Sequence, residues 1–228
     1  MSGRAGSGRC RGPGWRGPAA GDSTGPAGVA LDRNASALAE ILLHINDDQC
    51  TAHSTTLPHR TAENPDLVRR AAGSRYAHVV ATRDHHVDPG SHFSEHPDFK
   101  DSFPVHCVVG SDGSTFHPDF APVVSQAVDE VFFKGAHSAS KSGFEGSAQD
   151  GTLLASWLRA REVTDVDVVG IATDHCVKAT ALDGVRAGFS VRVLLGYTAG
   201  VAADSTEAAV TELRRAGIAL TGKPVVLT

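Results

Sequence analysis

The chain has 228 residues, 41% of them apolar and 21% charged, with a formal net charge of -5. That size suits one globular domain, or a domain plus a tail, and is short for two. The mild negative charge gives no electrostatic case for nucleic acid or an anionic membrane, and no apolar run approaches the roughly 20 residues of a spanning helix.

Residues 1–28 hold nine glycines, three prolines and the arginines Arg4, Arg9, Arg11 and Arg16, with no hydrophobic period. Such a segment buries too little surface to offset its ordering entropy and reads as a disordered tail. It lacks the apolar stretch of a secretory signal. The folded domain is expected over 29–228. Within Ala35–Ile45, the residues Leu38, Ile41, Leu42 and Ile45 have helical spacing behind Asn34 or Ser36, which predicts a capped helix. Residues 46–64 are polar and aperiodic and read as irregular or inserted. Pro65–Ala72 predicts a short helix capped by Asn64.

From residue 78 the pattern is regular. His78–Thr82, Glu130–Phe133, Val166–Ile171, Ser190–Leu195 and Ile218–Leu220 read as strands. Helices are predicted over Leu153–Arg161, Val177–Ala187 and Ser205–Ala216. Apolar strands alternating with helices argue for an α/β fold, a parallel sheet with helices on both faces. In such sheets ligands bind beyond the strand C-termini. Asp84, Lys134 and Thr173–Cys176 follow three of these strands and would share that edge.

Histidine is the unusual entry in the composition: seven of the 12 fall within residues 78–117. Asp84 and His86, two apart in extended chain, point the same way, while His85 points opposite. His92 returns after the turn at Pro89-Gly90, and His106 follows in the next loop. A carboxylate and neutral imidazoles suit zinc, iron or manganese. A solvated histidine-rich loop is the competing reading. The four cysteines, Cys10, Cys50, Cys107 and Cys176, form no CxxC pair and suggest a reducing, cytoplasmic protein. Cys176 directly follows a buried strand and starts a helix, where backbone N–H groups and the helix dipole would lower a thiol pKa. A buried inert cysteine is the alternative. Lys134 emerges behind Phe132 and Phe133, either desolvated beside an anion or as a solvated strand cap.

Taken together, these segments resemble the nicotinamidase branch of the isochorismatase-like cysteine hydrolases, from about residue 76 to about 221. The resemblance is carried by His78–Phe93 (HVVATRDHHVDPGSHF), Pro104–Cys107 (PVHC), Phe133-Lys134-Gly135, Ser142–Gly146 (SGFEG) and Gly170–Val177 (GIATDHCV). It implies a Rossmann-like three-layer α/β/α fold and an amidase converting nicotinamide to nicotinate and ammonia in NAD salvage. It implies Cys176 as nucleophile, Lys134 as its charged neighbour, and one divalent metal (Zn, Fe or Mn) on Asp84, His86, His92 and His106. It also implies a cis peptide before Ala172, an oxyanion hole from the N–H groups of Ala172 and Cys176, and Phe103 against the substrate ring. The expected partner is the small-molecule substrate, without nucleic acid or membrane, and a homo-oligomer stays open.

One departure stands out. The family's third catalytic residue is an Asp after an aliphatic first strand, and no Asp-x-Gln-Asn-Asp-Phe-like string occurs here. Asp32, in Val29–Asn34, is the nearest echo. The expectation is therefore a first strand missing or replaced. Alternative readings are a catalytically impaired metal-binding homologue, and an amidase of the superfamily acting on a ureido or carbamoyl substrate.

Overall fold

The computed structural model describes residues 37–43, 76–116 and 121–226. The glycine-rich segment 1–28, Asp32, the stretch 46–64 and the helix expected over Pro65–Ala72 lie outside the described residues.

Seven strands form one sheet: β1 (Ala37–Leu43), β2 (His78–Asp84), β3 (Glu130–Lys134), β4 (Val163–Ile171), β5 (Ser190–Gly200), β6 (Ala219–Thr221) and β7 (Val225–Val226). The order is β3-β2-β1-β4-β5-β6, with β7 also on β5, and every pairing is parallel. Four α-helices are described: α1 (Ala121–Ala127), α2 (Leu154–Arg159), α3 (Lys178–Arg186) and α4 (Ala203–Arg215). The expected strands and helices from residue 78 onward are all present. β4 and β5 run longer than their β-branched cores, while α1 and β7, both short, carry too little periodicity to be read from sequence.

Two expectations are corrected here. The helix expected over Ala35–Ile45 is a strand, Ala37–Leu43, and the first strand is therefore neither missing nor replaced. It sits between β2 and β4, pairing Ile41 with Val80 and Val168. The apolar residues Leu38, Ile41, Leu42 and Ile45 fit a helical stripe and a short apolar run equally well, and periodicity alone cannot separate them. Tertiary context decides. β2 and β4 each present an unpaired ladder edge to the gap between them, and a strand there satisfies both rows of backbone groups.

Alternate residues along the strands enter two separate cores. Val80, Phe132, Val166, Val168, Val193 and Leu195 pack with Leu154, Trp157 and Leu158 of α2, Ala181 of α3, and Val210 and Leu213 of α4. Val79, Ala81, Val131, Val169 and Leu194 pack on the opposite face with Val124 and Ala127 of α1. Helices thus cover both faces, as expected of a buried parallel sheet. Among the described residues no helix is long and apolar enough to cross a membrane.

Candidate active site

Three strands, β2, β3 and β4, deliver polar groups to one sheet edge. β2 ends at Asp84 and β3 at Lys134, and these two residues are partners across the ladder. Their side chains therefore project on the same side. β4 ends at Ile171, and a cis peptide joins it to Ala172. The chain then makes a single π turn over Thr173–Val177, closed by the Val177 N–H on Ala172 O at 3.1 Å, before α3 begins. Cys176 lies inside this turn. Buried side chains hold the turn in place. Asp174 accepts from the N–H of Val201 at 3.1 Å and the hydroxyl of Ser205 at 2.5 Å. The Thr173 hydroxyl meets that of Thr198 at 2.9 Å.

Lys134 is enclosed, its side chain showing no exposure. Its Nζ donates to Asp84 Oδ1 and to Ser140 O at 3.2 Å, and lies 3.7 Å from Cys176 Sγ. Burial alone would strip its proton, but the Asp84 carboxylate and Cys176 reverse that and hold the ammonium well above its ordinary pKa. Lys134 is thus a desolvated cation beside a thiol, not a solvated cap. Burial pushes the Cys176 thiol up, and Lys134 pulls against it. This differs from the expectation of a thiol lowered by a helix N-terminus. Cys176 sits ahead of α3 in a closed π turn, and desolvation outweighs the cation beside it.

The histidines converge next to this pair. The rings of His86, His92 and His106 lie 4.9 to 5.3 Å apart, and one nitrogen from each falls within 4.8 Å of the others. All three Nδ1 atoms face backbone carbonyls: His86 on Gly135 at 2.6 Å, His92 on Asp101 at 3.0 Å, His106 on Pro104 at 2.7 Å. A carbonyl only accepts, so each Nδ1 carries the hydrogen and each Nε2 keeps its lone pair. This is the outer-shell arrangement that orients imidazoles toward a metal. His86 Nε2 is buried and makes no hydrogen bond among the described residues. A buried imidazole nitrogen without a partner is costly, and a cation satisfies it. Burial also lowers the His86 pKa, keeping the ring neutral as a ligand must be. The residues therefore fit a metal.

Asp84 bridges the two groups. Its Oδ1 takes the Lys134 ammonium, while Oδ2 stands 3.8 Å from His86 Nε2. Phe103 is half-buried, its ring 5.4 Å from that of His92 and 5.9 Å from that of His175. His85 turns away onto Phe133 at 5.0 Å, as the strand alternation predicts. The predicted site residues Asp84, His86, His92, Phe103, His106, Lys134, Ala172 and Cys176 thus gather at one edge. Sequence reasoning missed the supporting carbonyls of Gly135, Ser140, Asp101 and Pro104, since any residue supplies a carbonyl. It also passed over Cys107, which lies beside Asp84 and His106.

The isochorismatase domain family matches residues 42–223. This chain belongs to that family. The isochorismatase-family chain is 48% identical over 183 residues to the nicotinamidase/pyrazinamidase of Mycobacterium tuberculosis, covering 79% of this chain and 96% of the relative. Its fold is similar to that of the L. infantum protein PnC1 in complex with nicotinate, with a TM-score of 0.67 at 27% identity, covering 84% and 96% of the two chains. It is also similar to the pyrazinamidase of Pyrococcus horikoshii in complex with zinc, with a TM-score of 0.61 at 28% identity, covering 81% and 98%.

The resemblance noted in the sequence implies an Asp after the first strand. β1 ends at Leu43, and the residue that follows in this chain is His44. Its placement lies outside the described residues.

Proposed function

We propose that this protein is a nicotinamidase, a cysteine amidohydrolase that converts nicotinamide to nicotinate and ammonia in cytoplasmic NAD salvage. The reading is supported first by the 3.7 Å contact of Lys134 Nζ with Cys176 Sγ beside three converging imidazoles. The likeness to the Mycobacterium tuberculosis enzyme adds to it.

Cys176 is the nucleophile. Its thiol gives up a proton to a general base, which later returns it to the leaving nitrogen, and the Lys134 ammonium stabilises the thiolate that forms. Sulfur attacks the carboxamide carbon, the carbonyl π pair moves to oxygen, and the N–H groups of Ala172 and Cys176 hold the oxyanion. The C–N bond then breaks as nitrogen takes a proton and leaves as ammonia. Water attacks the thioester, nicotinate departs, and the thiol is restored. Phe103 packs against the aromatic ring. Asp84, His86, His92 and His106 would hold one divalent cation, with zinc, iron and manganese all matching the donor set. When bound, that cation supplies a Lewis-acid anchor for a ring nitrogen and a polarised water.

The deciding measurement is ammonia release from nicotinamide by metal-loaded protein, alongside Cys176→Ala. Turnover in the first and none in the second is expected. Folded, metal-loaded protein that releases no ammonia would refute the assignment.

A further inference from the structure

We propose that Lys141 is a positioning residue: it latches the loop 98–102, and with it the carbonyl that holds His92 and the ring of Phe103, to the segment that carries the acceptor of Lys134. Ser140 and Lys141 are consecutive, and Ser140 O takes the Lys134 ammonium at 3.2 Å. The root of Lys141 is fixed. Its backbone N–H and that of Ser142 both donate to Glu145 Oε2, at 2.9 and 2.7 Å. From there the side chain reaches the loop. Lys141 Nζ donates to Lys100 O at 2.7 Å and to Asp101 Oδ1 at 3.0 Å. Asp101 thus faces both ways: its carboxylate meets Lys141, and its carbonyl accepts from His92 Nδ1 at 3.0 Å.

The loop is closed by its own side chains. Asp98 Oδ1 accepts from the N–H groups of Lys100, Asp101 and Ser102 and from the Ser102 hydroxyl, all at 2.9 Å. A loop closed in this way swings as one body, so its ties to the surroundings fix its position. At its base the Phe103 N–H donates to His92 O at 2.8 Å and the Ser94 N–H to Phe103 O at 3.0 Å. Phe99 turns through the left-handed region at φ 55 and sets its ring edge-on to Phe103 at 6.3 Å. A non-glycine residue holds that conformation when its surroundings impose it. The latch is of moderate strength. The Asp101 side chain is 71% exposed, and an ion pair so exposed contributes little. The contact with Lys100 O adds a hydrogen bond from a charged donor, and the Lys141 side chain is only 32% exposed. Its loss should therefore loosen the loop without unfolding the domain.

The latch rests on the proposed function only for its kinetic consequence. Phe103 packs against the substrate ring in ground and transition state alike, so a displaced loop should raise KM rather than lower kcat. Residue-resolved hydrogen exchange on the full-length protein tests the latch without turnover. It compares wild type with Lys141→Met, which keeps the stem and removes the charge, and with Lys141→Arg, which keeps the charge. In Lys141→Met the Ser94 and Phe103 amides are expected to exchange about 3- to 10-fold faster, the size of one partly exposed charged contact. The amides of β4 should exchange as in wild type, which shows that the domain stays folded. KM for nicotinamide is expected to rise by a similar factor with kcat little changed, and Lys141→Arg to bring exchange and KM back toward wild type. Unchanged exchange in Lys141→Met overturns the latch, and so does a fall in kcat with KM unchanged. Wild-type protein that releases no ammonia overturns the functional reading alone, and the exchange rates then decide the latch by themselves.

Discussion

Lys134 Nζ lies 3.7 Å from Cys176 Sγ, while its own hydrogen bonds go to Asp84 and to the Ser140 carbonyl. A buried ammonium held by a carboxylate stays charged, and that fixed charge is what a thiolate beside it needs. Removing the sulfur with Cys176→Ala is expected to lower ammonia release by on the order of 10⁴-fold or more, as for other enzymes that lose their nucleophile. Lys134→Met removes the cation and strands Asp84 as a buried, uncompensated charge. It is expected to cost about 3–5 kcal/mol of stability as well as activity. Urea denaturation of the two variants separates these effects: Cys176→Ala should stay near wild type, and Lys134→Met should not.

Burial raises the Cys176 thiol pKa above its ordinary 9.0, with Lys134 opposing. The folded state therefore holds this proton more tightly than the unfolded chain does. The stability it contributes is complete below the ordinary thiol value and is lost as pH rises through the higher folded value. Alkylation of Cys176 by iodoacetamide is expected to accelerate with pH into the range above 9.0. In Lys134→Met the midpoint of that profile should move further up. A midpoint that moves down would mean that the lysine does not stabilise the thiolate.

Gly135 supplies the carbonyl that holds His86, and it does so at φ +76, where a Cβ would stand 2.7 Å from His86 Cε1 and 3.0 Å from His86 Nδ1. A side chain there pushes the imidazole off its position and strains the backbone. Gly135→Ala is expected to weaken metal affinity by about 10- to 100-fold, the range seen when an outer-shell partner of a metal ligand is lost. Chelator competition measures this directly. Unchanged affinity would mean that His86 is not a ligand.

The parts legible in sequence were those in which a side chain itself carries the signal. β4 and β5 announce themselves by β-branched runs, and Asp84, Lys134 and Cys176 by following buried strands. β1 was misread because Leu38, Ile41 and Leu42 satisfy two periodicities, and its identity is decided by β2 and β4, which are distant in sequence. The carbonyls that orient His86, His92 and His106 could not be read at all, because a backbone acceptor leaves no mark on residue type. The direction of the Cys176 shift was missed for a related reason: burial is a property of the packed chain, whereas helix-start position is visible locally.

Placing β1 in the sheet sharpens the question of the proton acceptor. Leu43 is level with Thr82 of β2 and Gly170 of β4, two residues short of Asp84 and Ala172. β1 therefore ends toward the edge where Cys176 and Lys134 sit, and His44 is the next residue in the sequence. An imidazole is a competent general base near neutral pH, which makes His44 a residue to test as the proton acceptor. His44→Ala is expected to lower kcat for nicotinamide by about 10²- to 10⁴-fold, with KM little changed. His44→Asp restores the family's carboxylate and should keep at least wild-type turnover, with the acidic limb of the pH–rate profile moved to lower pH. If both variants turn over like wild type, the residue after β1 takes no part in the proton transfer.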